Sequence, residues 1–119
     1  IETKQALENL DEILSVPGLD SIYVGPADLS LSLIGAPVIP AVDPVVVKAI
    51  ESIVAAAKRH NVFAGIHCVS TAHAKQMIAL GYQFVTLLSD NALLNAAAKS
   101  AVAEMRQKDP SAAKSSGPY

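Results

Sequence analysis

The spacing of apolar residues alternates between a helical and an extended period along the chain. Over residues 4–15, Leu7, Leu10 and Leu14 share one face while Glu8, Asp11 and Glu12 take the other, which predicts a helix ended by Pro17-Gly18. Ser21–Val24 reads as a short strand closed by Gly25-Pro26, and Ala27–Leu33 as a short helical turn. Gly35, Pro37 and Pro40 mark an irregular loop over 35–42. Asp43-Pro44 is an N-cap followed by proline at the first helical position. The helix it starts should run to about His60, with Val46, Val47, Ile50, Ile53, Val54 and Ala57 toward a core. Val62–His67 is a second, buried strand. A helix capped by Ser70 or Thr71 follows and stops at Gly81. Gln83–Leu88 is a third strand, and Ser89-Asp90 starts an alanine-rich helix reaching about Lys108. Residues 109–119 read as a solvated tail, so 1–108 form the predicted domain.

Continuous apolar strands alternating with amphipathic helices predict an α/β fold with a parallel sheet covered by helices. Ile1 reads as the last residue of a preceding strand. A doubly wound sheet and part of a (β/α)8 TIM barrel both fit. A whole barrel needs about 250 residues, so these 119 residues would supply about half of one. The opening Ile1-Glu2 reads as a chain entered in mid-fold.

Composition narrows the function classes. The charge is weak and mixed, with 9 basic and 11 acidic residues and a net charge of −2, which argues against nucleic acid, whose binding needs a basic stripe. No apolar run approaches the ~20 residues of a membrane span, and no signal peptide is visible. The lone Cys68 excludes an internal disulfide framework and fits a reducing cytoplasm.

In parallel α/β folds, ligands gather at the carboxyl ends of the strands. Of the acidic residues, only Glu2, Asp28 and Asp90 fall there. Glu2 and Asp28, one helix and one strand apart, would project from neighbouring strand ends. Two carboxylates leaving open positions suit a hard divalent cation. Capping duty is the competing role for both, and on spacing alone the commoner one; for Asp90 an N-cap is the simpler reading. In Gly25-Pro26-Ala27-Asp28-Leu29-Ser30, the glycine allows close ligand approach, and the turn aims free amides at a carboxylate. No lysine falls at a strand position, so an amine nucleophile has no candidate. Nor is there a glycine-rich phosphate loop. His67 ends a strand and could reach the site, although a histidine between Ile66 and Cys68 is more often a hydrogen-bonded core residue. His60 and His73 fall on helices as solvated residues, Cys68 as inert packing, and Arg59 and Arg106 as late-helix cations facing the helix dipole.

Ile1-Glu2-Thr3, Ala6–Ile13, Val16–Asp20 and Tyr23-Val24-Gly25-Pro26-Ala27-Asp28-Leu29-Ser30 together resemble the metal-dependent (class II) pyruvate aldolases of the 4-hydroxy-2-oxoheptanedioate and 2-keto-3-deoxy-sugar-acid type. The likeness is strongest over 1–33 and extends through about 90. It implies the C-terminal half of a (β/α)8 barrel, from the end of strand 5 through helix 8. It also implies Glu2 and Asp28 as ligands of Mg²⁺, Mn²⁺ or Co²⁺, and the Gly25–Asp28 backbone, Ala27 above all, as the seat of the pyruvate carboxylate. The reaction implied is cleavage of a 4-hydroxy-2-oxo acid to pyruvate and an aldehyde. The family's general-base histidine, substrate-binding arginine and a glutamine before the glutamate-threonine pair lie upstream of what this chain contains, so no catalytic residue is assigned within it. The resemblance further implies a homo-oligomer, a hexamer with an exchanged terminal helix, and an N-terminal half-barrel as partner. A related lyase acting on oxaloacetate or a malyl- or citramalyl-type substrate, and a non-catalytic half-barrel, remain as alternatives.

Overall fold

The computed structural model describes residues 1–106. Its elements are α1 (Lys4–Glu8), α2 (Leu10–Leu14), β1 (Ser21–Val24), α3 (Pro26–Ile34), α4 (Pro44–Arg59), β2 (Phe63–Ile66), α5 (Thr71–Leu80), β3 (Phe84–Val85) and α6 (Asp90–Arg106). The strands form one parallel sheet in the order β1-β2-β3. Val24 pairs with Ile66 and Ile66 with Val85. Residues 1–88 make one compact unit, and a second begins at Ser89. The α/β class and parallel sheet are as the alternation of periods predicts. The predicted tail at 109–119 and the last two residues of the predicted final helix lie outside the described residues.

Four expectations change. The helix predicted over 4–15 is two short helices meeting at Asn9, which is the C-cap of α1 and the N-cap of α2. Asn9 leaves the helical backbone at φ −97°, ψ 16° without a side-chain capping bond, and asparagine's low helix propensity does little to oppose the break. The third strand shrinks from 83–88 to Phe84–Val85, although Thr86 and Leu88 still donate to the Ile66 and Cys68 carbonyls. His73, expected in solvent, is 4% exposed. Val47, expected in the core, is half-buried.

The core of the first unit lies between one sheet face and the helices. Ile22 and Val24 of β1 and Ala64 and Ile66 of β2 meet Val46, Ile50, Ile53 and Ala57 of α4, all nearly sealed from solvent. The apolar stripe on α4 has the i, i+3, i+4 spacing that turns one helix face to a sheet. Asp43 caps α4 by accepting from the Val45 amide at 2.8 Å. Ser70 caps α5 by accepting from the His73 amide, and Gly81 ends α5 at φ +112°, a left-handed turn that glycine enters without Cβ strain. That turn delivers Tyr82 into the core, where its hydroxyl donates to the Ile50 carbonyl at 2.9 Å, and burial pushes the phenol pKa up. Asp11 on α2 accepts from His60 Nε2 at 2.8 Å and Arg59 Nη2 at 3.2 Å, joining α2 to the end of α4. Those contacts, His60 first, hold the Asp11 carboxyl below its usual range.

The other sheet face is different. Tyr23, Phe63 and Phe84 point away from the helices and are 36%, 61% and 60% exposed. The Tyr23 and Phe84 rings lie 5.7 Å apart. They converge over Gly65, where a Cβ would come within 2.8 Å of Tyr23 and 2.9 Å of Phe84. Parallel sheets ordinarily bury both faces; in this unit an aromatic face stands open.

Two measurements check this account. Ser30, fully buried, donates to the Ala36 carbonyl at 2.6 Å and accepts from the Val38 amide at 2.7 Å, binding the 35–42 loop to α3. Ser30→Ala leaves both backbone groups unpaired, so urea unfolding should show a loss of roughly 1–3 kcal/mol. Burial, and then the nearby His67, lower the His73 pKa from 6.5. The unfolded chain therefore binds a proton at His73 before the folded one does. Stability from this residue is present above about pH 6.5 and is lost as pH falls toward the folded pKa. The stability–pH profile of His73→Leu should run parallel to wild type above pH 7 and fall less steeply below about 6.5.

Candidate active site

The site is built where β1 and β2 end. His67 N–H donates to the Val24 carbonyl at 3.0 Å, so the residue after β2 lies beside the residue after β1, which is Gly25. From Gly25 the chain turns directly into α3, with Gly25 as N-cap and Pro26 in the first turn. Pro26 has no amide hydrogen, and the Leu29 amide is taken by the Gly25 carbonyl. The Ala27 and Asp28 amides are thus the free donors of this helix start, directed along a helix dipole that favours an anion.

Glu2 is held over the same turn from both sides. On one side the Ile1 nitrogen donates to the Tyr23 carbonyl, and on the other the Lys4 amide donates to Ser32 Oγ at 2.9 Å. A Cβ on Gly25 would approach Glu2 Oε1 to 2.5 Å and its Cγ to 2.9 Å, so glycine leaves the space the carboxylate fills. Gly25 has φ −96°, which any residue adopts; its requirement here is space, not backbone freedom.

Glu2, Tyr23, Gly25, Ala27, Asp28 and His67 line one cavity of about 350 Å³, with Pro26 and Ile39 as apolar walls. Capping does not account for its two carboxylates. Thr3 is the N-cap of α1, its side chain accepting from the Ala6 amide, and Gly25 is the N-cap of α3. Among the described residues neither Glu2 nor Asp28 joins a salt bridge, and no lysine or arginine lines the cavity. Two carboxylates without a cationic partner, beside open space, fit a hard divalent cation completed by water and ligand oxygens. Among the described residues no group of three or more His, Cys, Asp or Glu comes together, so a cation here would have these two carboxylates as its protein ligands.

The remaining candidates separate clearly. Asp90 begins α6 and accepts from the Asn91 amide, while Ser89 accepts from the Ala92 amide. Cys68 is fully buried and its thiol pKa is raised by burial, which keeps it protonated and unreactive. Arg59 and His60 are engaged with Asp11. His67 is partly exposed and lies in the cavity rather than the core. Its Nδ1 is 3.1 Å from Thr86 Oγ1 and 3.3 Å from the Tyr23 hydroxyl. Sequence reasoning missed Tyr23, Thr86 and Ile39 here. Tyr23 and Thr86 were legible in part, because period-two alternation puts both on the sheet face that His67 continues. Ile39 had no such signal, since its place depends on the Ser30 hydroxyl holding the loop.

Fold and site together describe an α/β protein with an acidic, ligand-sized cavity at the carboxyl ends of its strands. The chain belongs to the HpcH/HpaI aldolase/citrate lyase family, whose model matches residues 1–97. It is 42% identical over 106 residues to a hydroxypyruvate/pyruvate aldolase of Rhizorhabdus wittichii, a match covering 89% of this chain and 42% of that protein. It is also 42% identical over 96 residues to a 4-hydroxy-2-oxo-heptane-1,7-dioate aldolase of Salmonella arizonae, covering 79% of this chain and 35% of the relative. Among solved structures, a family protein from Burkholderia cenocepacia superposes with a TM-score of 0.84 at 34% identity, over 90% of this chain and 41% of that one. The chain thus spans less than half the length of these relatives, and the resemblance carried by Glu2-Thr3 and Gly25–Ser30 holds at the level of the family.

Gly25→Ala should drive the Glu2 carboxylate out of the cavity while leaving the fold intact. Circular dichroism should match wild type, and Mn²⁺ titration of the full-length protein should show affinity reduced by roughly tenfold or more, the scale seen when residues supporting metal ligands are altered.

Proposed function

We propose that this chain is the metal-binding half of a divalent-cation-dependent pyruvate aldolase, a carbon–carbon lyase that cleaves 4-hydroxy-2-oxo acids to pyruvate and an aldehyde. The observation that carries the reading is the pair Glu2 and Asp28. Both lack capping duty and a cationic partner, and both face one cavity beside the free Ala27 and Asp28 amides. In this reading Glu2 and Asp28 hold the cation (Mg²⁺, Mn²⁺ or Co²⁺), which when bound supplies Lewis-acid stabilisation of charge on the 2-oxo oxygen. The Ala27 and Asp28 amides bind the substrate carboxylate and fix which end of the oxo acid enters first. Gly25 keeps the carboxylate of Glu2 free to turn into the site, and Ile39 presents an apolar wall to the incoming chain. Cleavage breaks the bond between C3 and C4, and the 4-hydroxyl proton leaves to a base supplied from outside this chain.

The open sheet face supports a missing half. Tyr23, Phe63 and Phe84 stand exposed on a parallel sheet, and the Ile1 nitrogen donates to Tyr23 beyond the edge of β1. A preceding set of strands would cover that face and pair along that edge, closing the sheet into a (β/α)8 barrel in which 1–108 form the second half. In this reading α6 would carry the contact with a second copy of the chain. None of its described residues is buried, and Leu94, Ala98, Val102 and Met105 make one apolar stripe suited to a second copy of the chain.

The test uses the full-length protein containing this chain. Exchange of pyruvate methyl protons with D₂O should require Mg²⁺, Mn²⁺ or Co²⁺ and stop after chelation. Glu2→Gln and Asp28→Asn should each reduce it on the order of a hundredfold or more. Exchange that survives thorough chelation, or full activity in either variant, contradicts the reading.

A further inference from the structure

We propose that His67 is a specificity-determining residue whose Nε2–H receives an oxygen carried on C3 of the bound 2-oxo acid, so that the site prefers a 3-hydroxylated 2-oxo acid over one ending in a bare methyl. The inference deepens the proposed function and rests on that reading of the cavity.

Three observations carry it. The first is placement. His67 N–H donates to the Val24 carbonyl, which sets residue 67 beside Gly25, and His67 lines the same cavity as Ala27 and Asp28. The second is the hydrogen-bond network that sets the ring's protonation. Thr86 Oγ1 already accepts from the Cys68 amide at 3.1 Å, which leaves its own hydrogen to donate. It lies 3.1 Å from His67 Nδ1, with the Tyr23 hydroxyl 3.3 Å from the same nitrogen and 3.4 Å from Thr86. With two hydroxyls converging on Nδ1, both able to donate, Nδ1 is in this proposal the acceptor and the neutral ring's proton is on Nε2. The third is what remains unpaired. Among the described residues His67 Nε2 has no hydrogen-bond partner and is not a sealed atom as His73 Nδ1 is, so it stands accessible on a residue that lines the cavity.

Elimination then assigns the ligand atom. Among the described residues, four side chains lining the cavity are polar: Glu2, Asp28, Tyr23 and His67. In the proposed reading the two carboxylates would hold the cation, which would face the C2 oxygen, the Ala27 and Asp28 amides take the C1 carboxylate, and the Tyr23 hydroxyl is engaged with His67 and Thr86. Among the described residues lining the cavity, His67 Nε2–H is the side-chain donor left over, and C3 is the next position along the oxo acid. A donor left facing a methyl is an unpaired polar group, whereas one facing a hydroxyl is satisfied, and sites built this way discriminate between such analogues.

The experiment compares hydroxypyruvate with pyruvate in the full-length protein, loaded with Mn²⁺, by C3 proton exchange in D₂O. In His67→Leu, kcat/KM for hydroxypyruvate should fall about five- to tenfold further than for pyruvate, the scale of one neutral hydrogen bond. His67→Gln, which keeps an N–H donor, should recover part of that ratio. Thr86→Val, which frees Nδ1 from its donor, should lower the ratio less than His67→Leu does. A readout independent of turnover is the ¹⁵N spectrum of the His67 ring. It should show a protonated Nε2 and an accepting Nδ1, with Nε2 shifting on addition of hydroxypyruvate and much less with pyruvate. An unchanged ratio in a folded His67→Leu, or an Nδ1–H ring, overturns the inference while leaving the aldolase reading intact. Loss of exchange with both donors alike also overturns it, since His67 would then act in the proton transfer and not in selection. A wild-type protein exchanging neither donor overturns the proposed function, and this inference with it.

Discussion

The parallel pairing of β1 with β2 is the constraint on which the rest depends. Setting Val24 against Ile66 brings the two chains out at the same end of the sheet. The next hydrogen bond, His67 N–H to the Val24 carbonyl, continues that register one step past the ladder. Gly25 and His67 are neighbours for this reason, although 42 positions separate them in the chain. Antiparallel pairing would send the turn into α3 and the imidazole to opposite ends of the sheet. Glu2 reaches the same place by a different route, anchored at the Tyr23 carbonyl on one side and Ser32 on the other.

The two faces of the sheet hold different kinds of contact. The helix-facing side holds Ile22, Val24, Ala64 and Ile66 against α4, and burial of this apolar surface stabilises the unit. The opposite side carries the aromatic rings, the Gly65 gap between them, and the Tyr23–Thr86–His67 network. That network engages one imidazole through four hydrogen-bonding contacts among four residues, the Cys68 amide included. His73 shows the contrast: it is more deeply buried, yet its Nδ1 finds no partner. One histidine is positioned and the other merely enclosed.

The elements of the first unit were legible because their signals are local. Asp43-Pro44, Ser70 and Gly81 end or begin helices through their own backbone and side-chain chemistry, and all three do so in the structure. The carboxylate pair was legible from the rule that ligands meet at strand ends, and the family from the Glu2-Thr3 and Gly25–Ser30 runs. What escaped depends on packing. Asn9 breaks a helix whose apolar spacing is unbroken. His73 lies on a helix of mixed pattern, and its burial follows from Pro40, Ala41 and Val47, which arrive from other parts of the chain. Nor could spacing tell whether Glu2 and Asp28 cap the helices beside them; the structure gives those cap positions to Thr3 and Gly25.

The central claim is that Glu2 and Asp28 hold one divalent cation between them. The most direct measurement is the anomalous difference map of a crystal of the full-length protein grown with Mn²⁺ and pyruvate. The account predicts a single strong peak in the Gly25–Asp28 cavity, with an oxygen of Glu2 and an oxygen of Asp28 each about 2.0–2.6 Å away and the pyruvate carboxylate on the Ala27 and Asp28 amides. A peak bound elsewhere, or pyruvate seated in an orientation that touches neither carboxylate's ligand, would contradict it.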